Sequence, residues 1–130
     1  MTTKISYTIA LLMGPGMIFL GARFFLSPEA AEARFGIHFN DQGDHSFHYM
    51  KGIRDIFSGL VISVFALMKQ RLALGLTLLA GRMIPLTDML IVAGKNYTGV
   101  SQLIPHIIAI IICLVIGIIL LATKPQNKTL

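Results

Sequence analysis

The sequence has few of the features that mark soluble enzymes. It contains one cysteine and no tryptophan, and only 13% of its 130 residues are charged. Cys113 is the only cysteine, so an internal disulfide and a cysteine metal cluster are both excluded, and it lies among isoleucines. The sequence also shows no strand-like alternation, internal repeat, phosphate-binding glycine loop or Ser-His-Asp order. These absences leave a helical chain without a recognisable soluble catalytic motif.

Hydrophobic side chains are the abundant component. They make up 55% of the chain, and the mean hydropathy of +0.75 is too high for an ordinary soluble domain of this length. Lipid-exposed backbone must satisfy its own hydrogen bonds, so we expect a single all-α domain, an integral membrane four-helix bundle. The four apolar runs are each about 20 residues long, enough to cross about 30 Å of hydrocarbon, and they cover residues 5–26, 49–68, 72–94 and 103–122.

The net charge of +5 does not indicate a nucleic-acid partner, because the basic residues are scattered among loops and helix ends. They concentrate on the side that holds both termini and the short connection at 69–71, and the positive-inside rule places that side in the cytoplasm. A signal peptide cleaved near Ala22 is the competing interpretation, but the apolar run continues to Leu26. We therefore predict a multi-pass membrane protein with both termini in the cytoplasm.

The first connection between the predicted spans is the only long one. Ser27, Pro28 and Glu29 combine a capping hydroxyl, a proline at the first helical position and an acid in the first turn. This pattern predicts a short helix over residues 28–35, which Gly36 ends in a left-handed conformation. The segment is either an interfacial lid on the non-cytoplasmic side or a plain amphipathic connector.

Glycine and proline predict where the helices bend and where they approach each other. Gly14-Pro15-Gly16 is expected to break the first span and Pro85 the third, which bends the helices or frees carbonyls to line a cavity. Gly52 and Gly59 lie on one face of the second span, where small residues allow close helix packing. Because only residues 69–71 intervene, the second and third spans are predicted to be antiparallel neighbours.

Ionisable side chains interrupt the predicted spans, all within the outer half of the membrane. A charge at the bilayer centre costs roughly 2.5–3.5 kcal/mol even on lenient scales, so each group needs a partner or a purpose. Asp55 and Asp88 lie about 9 Å deep and are therefore level. Because Arg54 and Asp55 are successive, we expect partners from other helices, pairing Arg54 with Asp88 and Arg82 with Asp55. The full set is Arg23, Arg54, Asp55, Arg82, Asp88 and His106.

This charged set has two interpretations. One is a charge-balanced network that fixes the register of the bundle. The other is a polar pocket that recognises a small lipophilic molecule without a cofactor, with acid-base conversion of that molecule as an optional extension. The candidate catalytic groups are then Asp55, Asp88 and His106, and the candidate ligand-binding groups are Arg54, Arg82, Arg23 and His48. A small homodimeric transporter and a structural or accessory subunit are the alternative functions.

The loop before the second span also allows a metal interpretation. His38, Asp41, Asp44, His45 and His48 supply enough side chains for three zinc ligands. Their spacing is not specific to a metal site, and polar loop residues at a membrane surface explain it equally. We therefore expect no metal.

Several of these motifs together resemble a known family. The most specific is Gly-x-Arg-Asp-x3-Gly, formed by Gly52, Arg54, Asp55 and Gly59. The resemblance is to the DUF4267 family of small four-helix membrane proteins, and it covers nearly the whole chain. It also rests on Phe35-Gly36, Arg71-x3-Gly75, Ile84-Pro85-Leu86-Thr87-Asp88 and His106. The function of the family is unknown, so the resemblance supports the choice of residues and implies no reaction.

Overall fold

The computed structural model describes residues 2–38 and 43–123, and within these ranges the chain is helical and contains no strand. Asp41 and residues 124–130 lie outside the described residues. The expectation of an all-helical chain is confirmed. In chain order the helices are α1 (Thr2–Leu26), α2 (Pro28–Phe35), α3 (Ser46–Leu67), α4 (Arg71–Gly81), α5 (Met83–Ala93) and α6 (Val100–Ala122).

Three helical segments of the described chain are long and apolar enough to cross a membrane, namely Thr2–Leu26, Arg71–Ala93 and Val100–Ala122. The second of these combines α4 and α5. Helix α3 is 22 residues long, but Lys51, Arg54 and Asp55 place three charges in it. By length and composition the protein is therefore of the membrane-spanning class.

The predicted short helix after α1 is confirmed, with Pro28 in its first turn and Gly36 at its end in the left-handed conformation (φ 95°). The Gly36 N–H donates to the carbonyl of Glu32 at 3.1 Å, as helix-ending glycines do. The capping role expected of the Ser27 hydroxyl is wrong, because this side chain makes no capping hydrogen bond. Its backbone N–H instead donates to the carbonyl of Arg23 at 2.8 Å, so α2 follows α1 directly.

Helices α1 and α3 pack with their backbones in contact. A Cβ atom added at Gly52 would lie 2.6 Å from a ring carbon of Phe25 and 2.8 Å from the carbonyl oxygen of Gly21. This confirms the close approach predicted for that face of α3. The break predicted at Gly14-Pro15-Gly16 is wrong, because α1 runs through Pro15 without interruption. Packing against α3 supports the helix around the proline, and neighbouring helices commonly make proline tolerable in membrane helices.

The predicted interruption of the third apolar segment is confirmed. Helix α4 ends at Gly81 and α5 begins at Met83. Pro85 lies four residues after Gly81. Pro85 has no N–H to donate to the carbonyl of Gly81, and its ring crowds that carbonyl. Helical hydrogen bonding resumes when the Leu86 N–H donates to the carbonyl of Arg82 at 3.1 Å.

The helices form two closely packed pairs. Helix α3 packs mainly on α1, and α4 with α5 packs mainly on α6. Helices α3 and α4, predicted to be neighbours, do contact each other and are joined by a tight turn in which Lys69 is left-handed (φ 53°). Each nevertheless packs more closely on another helix, because glycines on α1 and α3, and Gly75 and Gly117 on α4 and α6, permit closer contact.

Long-range hydrogen bonds define the two ends of this assembly. At one end, which we call the terminal end, the Tyr7 hydroxyl donates to the Lys69 carbonyl at 2.9 Å. At the same end Arg71 donates to the carbonyl of Leu120 at 2.5 Å and also to that of Thr123. The opposite end, which we call the lid end, carries α2. A separate apolar cluster lies at each end.

Candidate functional site

A cavity of about 630 Å³ lies between the two helix pairs. Its volume is within the range of small-molecule binding sites. Most of its lining is apolar, for example Met13 and Met17 on α1, Ile62 on α3 and Ile112 on α6. The expected polar pocket is thus a largely apolar cavity with charged groups near one end.

Helix α2 covers the lid end of the cavity. Ala31 and Phe35, the buried residues of α2, line it there together with Phe24 of α1. The rings of Phe24 and Phe35 meet edge to face, with their centroids 6.4 Å apart. The short helix is therefore part of the cavity wall.

The cavity also reaches the outer surface of the helices. Leu20 on α1, Phe57 on α3 and Ile108 on α6 line it, although each is more than half exposed (53%, 65% and 51%). Apolar side chains at such a rim are suited to contact with hydrocarbon. The cavity is therefore open at the outer surface of the helices.

Four charged side chains form a network at the lid end of the cavity. Asp88 accepts a hydrogen bond from Arg54 Nη2 at 2.8 Å, which confirms the predicted pairing of these two residues. Asp55 accepts one from Lys51 Nζ at 2.7 Å, and the same Nζ lies 3.6 Å from Asp88. We call Lys51, Arg54, Asp55 and Asp88 the four-group network. Its two cations and two carboxylates balance each other.

Lys51 is the member of this network that the sequence analysis did not assign to the site. Its side chain is 7% exposed, and its ammonium lies 4.6 Å from the ring centroid of Phe35 and 5.1 Å from that of Phe24. Aromatic faces attract a cation at such distances. A signal was present, because Lys51 and Asp55 are four residues apart on one helix face and can pair there.

The predicted pairing of Arg82 with Asp55 is wrong. Arg82 forms no ion pair within the described residues, and its guanidinium donates to the carbonyl of Leu79 at 2.7 Å. The acceptor lies three residues earlier in the chain, so the Arg82 side chain turns back towards α4. Asp55 also does not depend on another helix, because Lys51 is its nearest partner. Arg82 is not among the residues that line the cavity.

His106 lines the cavity but forms no ion pair with Asp55 or Asp88 in the described chain. Its Nε2 lies 3.4 Å from the carbonyl oxygen of Phe35, a contact that needs the ring proton on Nε2. Its ring also meets the Phe35 ring edge to face at 5.2 Å. The structure therefore places His106 against the end of α2, apart from the four-group network.

Two arginines line the cavity outside the four-group network. Arg23 belongs to α1, and Arg34, which the sequence analysis did not assign to the site, belongs to α2. Neither forms an ion pair within the described residues. The cavity therefore carries positive charge that the carboxylates of the network do not balance.

His48 lies outside the main cavity. Its Nε2 is 2.7 Å from Glu32 Oε2, and Glu32 Oε1 is 3.6 Å from Nδ1 of His38. These residues line a smaller cavity of about 270 Å³. The described residues contain no group of three His, Cys, Asp or Glu side chains arranged to hold a metal ion. His48 therefore connects α3 to α2 instead of facing the site of Asp55 and Asp88.

The fold and the cavity define an all-helical protein of membrane-spanning type with ionisable groups against an internal cavity. The chain belongs to the family described as "Domain of unknown function (DUF4267)", whose model matches residues 14–120. This range contains the four-group network, both cavity arginines and His106. No curated protein and no solved structure matches the chain.

Proposed function

We propose that this protein is a four-span integral membrane protein that binds a small lipophilic molecule with one polar end. The observation that carries the proposal is the cavity of about 630 Å³, which has apolar walls, a rim at the outer surface of the helices and charged groups near one end. Such a site accepts a hydrocarbon body from the bilayer and gives its polar end a partner.

Helix α3 is the fourth span in this proposal, despite its three charges. Lys51 and Asp55 are buried, and Arg54, whose side chain is 38% exposed, is paired with Asp88. Ile53, Phe57 and Leu60 are at least half exposed. An apolar exposed face and charges turned inward are what a lipid-facing helix requires. Helix α2 is an interfacial helix between the first and second spans.

The proposed orientation places the terminal end in the cytoplasm. In a Cys113→Ser background, single cysteines at Thr3, Gln70 and Gln102 test it with a membrane-impermeant thiol reagent applied to intact cells. We expect labelling at position 102 alone, because this position lies at the lid end. Outside labelling at position 70 would reverse the orientation.

Within the cavity, Asp55 and Asp88 orient the polar end of the ligand through Lys51, whose Nζ lies 2.7 Å from Asp55 and 3.6 Å from Asp88. His106 is the proton exchanger. Arg54 acts on Asp88, which it holds at 2.8 Å. Acid-base conversion of the ligand is the extension of this proposal, with Asp55, Asp88 and His106 as the reacting groups. This conversion requires a ligand that reaches both His106 and the carboxylates, because His106 forms no ion pair with Asp55 or Asp88 in the described chain.

The test uses purified protein in lipid nanodiscs and a screen of lipophilic compounds for thermal stabilisation, since a ligand that binds only the folded state stabilises it. Ala109 lines the cavity, so Ala109→Phe should fill the space and abolish stabilisation by a hit compound. Ile111→Phe is the matched control, because Ile111 is 54% exposed and lies outside the cavity lining. Asp88→Asn and His106→Gln should reduce the stabilisation while the protein stays folded.

A structural role is the second candidate, and the four-group network favours it because these side chains satisfy one another without a ligand. The same experiment separates the two functions. If the network is only structural, no compound stabilises the protein. The change in melting temperature caused by Ala109→Phe is then the same with and without the compounds.

A further inference from the structure

We infer that the occupant of the cavity is a single-chain amphiphile with an anionic head, a carboxylate or a phosphate, bound by Arg23 and Arg34. This inference rests on the proposed function and adds the chemical class of the ligand. The head lies at the lid end, and the hydrocarbon tail lies between the two helix pairs.

The charge of the cavity wall supplies the first argument. The four-group network is neutral as a whole, so its carboxylates are already occupied. Arg23 and Arg34 face the same cavity, and no described carboxylate lies within ion-pairing distance of either. A guanidinium stays protonated at any physiological pH. Arg23 is half-buried beside apolar walls, where an anionic ligand provides a counter-ion, and Arg34 is exposed and available to the same anion.

The placement of the two arginines supplies the second argument. Arg23 directly precedes Phe24, and Arg34 directly precedes Phe35. These two phenylalanines contact each other edge to face, so both arginines belong to the same end of the cavity. His106 contacts Phe35 as well and adds a ring N–H nearby. Guanidinium groups bind carboxylate and phosphate through paired hydrogen bonds, which fits either head.

The rest of the lining fits one hydrocarbon chain. Beyond Arg23, α1 presents Leu20, Met17 and Met13 to the cavity. At 1.5 Å per residue, Arg23 and Met13 are about 15 Å apart along the helix. The flexible methionine side chains adapt to tails of different shape. Both the length and the apolar character of this wall match a single acyl or isoprenoid tail.

Four probes that share a twelve-carbon chain test the inference: dodecanoate, dodecyl phosphate, dodecanol and dodecyltrimethylammonium. Their binding is measured by calorimetry on the protein in nanodiscs of zwitterionic lipid. An ionic hydrogen bond contributes about 1.5–3 kcal/mol, so at least one anionic probe should bind about tenfold more tightly than dodecanol. A stronger response to dodecanoate indicates a fatty acid, and a stronger response to dodecyl phosphate indicates a phosphate-bearing lipid.

Variants identify the groups that recognise the head. Arg23→Gln should weaken anionic binding about tenfold and leave dodecanol binding unchanged, and Arg23→Lys should retain part of the preference. Lys95→Gln is the matched control, because Lys95 is exposed and does not line the cavity. Its binding constants should equal those of the unmodified protein.

Two results would overturn the inference alone: equal binding of dodecanol and the anionic probes, or anionic binding that Ala109→Phe leaves unchanged. The second result would mean that the arginines bind anions at the bilayer surface and not in the cavity. If none of the four probes binds and no compound in the wider screen stabilises the protein, the proposed function itself fails.

Discussion

The two ends of this molecule are built in different ways. At the terminal end, Leu74, Leu78 and Leu120 are at most 1% exposed, and the buried cluster there contains no charged side chain. Near the lid end, Lys51 and Asp88 are almost as buried but charged. The interior at the terminal end is therefore filled by apolar packing, and the buried charges at the lid end require a separate explanation.

Arginine shows the same contrast. At the terminal end Arg71 donates to the carbonyls of Leu120 and Thr123, so its charge closes the last turn of α6. Arg23 has no such partner in the described chain and faces the cavity. One arginine completes the fold, and the other is the proposed ligand-binding group. The predictions below test this difference between the two ends.

The largest effect is expected at the lid end for Asp88→Ala. This change leaves Arg54 without its hydrogen bond and Lys51 with one carboxylate fewer. Breaking a fully buried pair costs about 3–5 kcal/mol, and because the Arg54 side chain is 38% exposed we expect a cost at the lower end of that range. The double variant Arg54→Ala with Asp88→Ala should cost clearly less than the sum of the single variants. Thermal unfolding in detergent measures the stability of the two single variants and the double variant. Strictly additive losses would show that the two residues are not coupled.

At the terminal end, Leu74→Ala should cost about 2–4 kcal/mol through lost contacts and a residual cavity. Leu74 is fully buried and does not line the ligand cavity. Ligand-induced stabilisation should therefore persist in this variant, whereas Asp88→Asn loses it. Loss of ligand response in Leu74→Ala would mean that the two ends are not independent. Leu72→Ala, at a 56% exposed position of the same helix, is the control.

A smaller effect is expected at the contact between α1 and α3. A methyl group at Gly52 would meet the Phe25 ring and the Gly21 carbonyl, so Gly52→Ala should force the helices apart at a cost of about 1–3 kcal/mol. Gly16→Ala is the matched control, because nothing lies within 4 Å of an added Cβ there. The control should be neutral or stabilising by about 0.5–1 kcal/mol, owing to better helix propensity. Equal melting temperatures for the two variants would contradict the close packing.

The sequence predicted most of the helical architecture because hydrophobic length and glycine and proline chemistry are local signals. For this reason the structure confirms the ends of α2, the interruption before Pro85 and the close packing at Gly52. The break at Pro15 was wrong because a neighbouring helix, which the sequence does not show, supports that part of α1.

The candidate site was predicted only in part, because depth along a helix does not give direction around it. Arg54 and Asp88 were level and do pair. Arg82 precedes Asp88 by six residues and was expected to reach Asp55, but its guanidinium turns back to the Leu79 carbonyl. Lys51 lies near the start of α3 and was not recognised as a member of the network. Direction around the helix axis depends on which pairs of helices pack, and that follows from the tertiary structure.

The smallest effect is expected for an acid outside the buried network, at the start of α3. Asp44 accepts hydrogen bonds from the Ser46 hydroxyl at 2.5 Å and from the Ser46 N–H at 2.9 Å, and these lower its pKa from the ordinary value of 3.8. A carboxyl with a lowered pKa in the folded state stabilises that state above pH 3.8, and the contribution is lost as the pH falls through the lowered pKa. Ser46→Ala removes the hydroxyl, so the Asp44 pKa should rise towards 3.8, as followed by NMR of labelled aspartate. Because Asp44 is fully exposed, the melting temperature near neutral pH should barely change. An unchanged Asp44 titration in Ser46→Ala would show that the hydroxyl is not its partner.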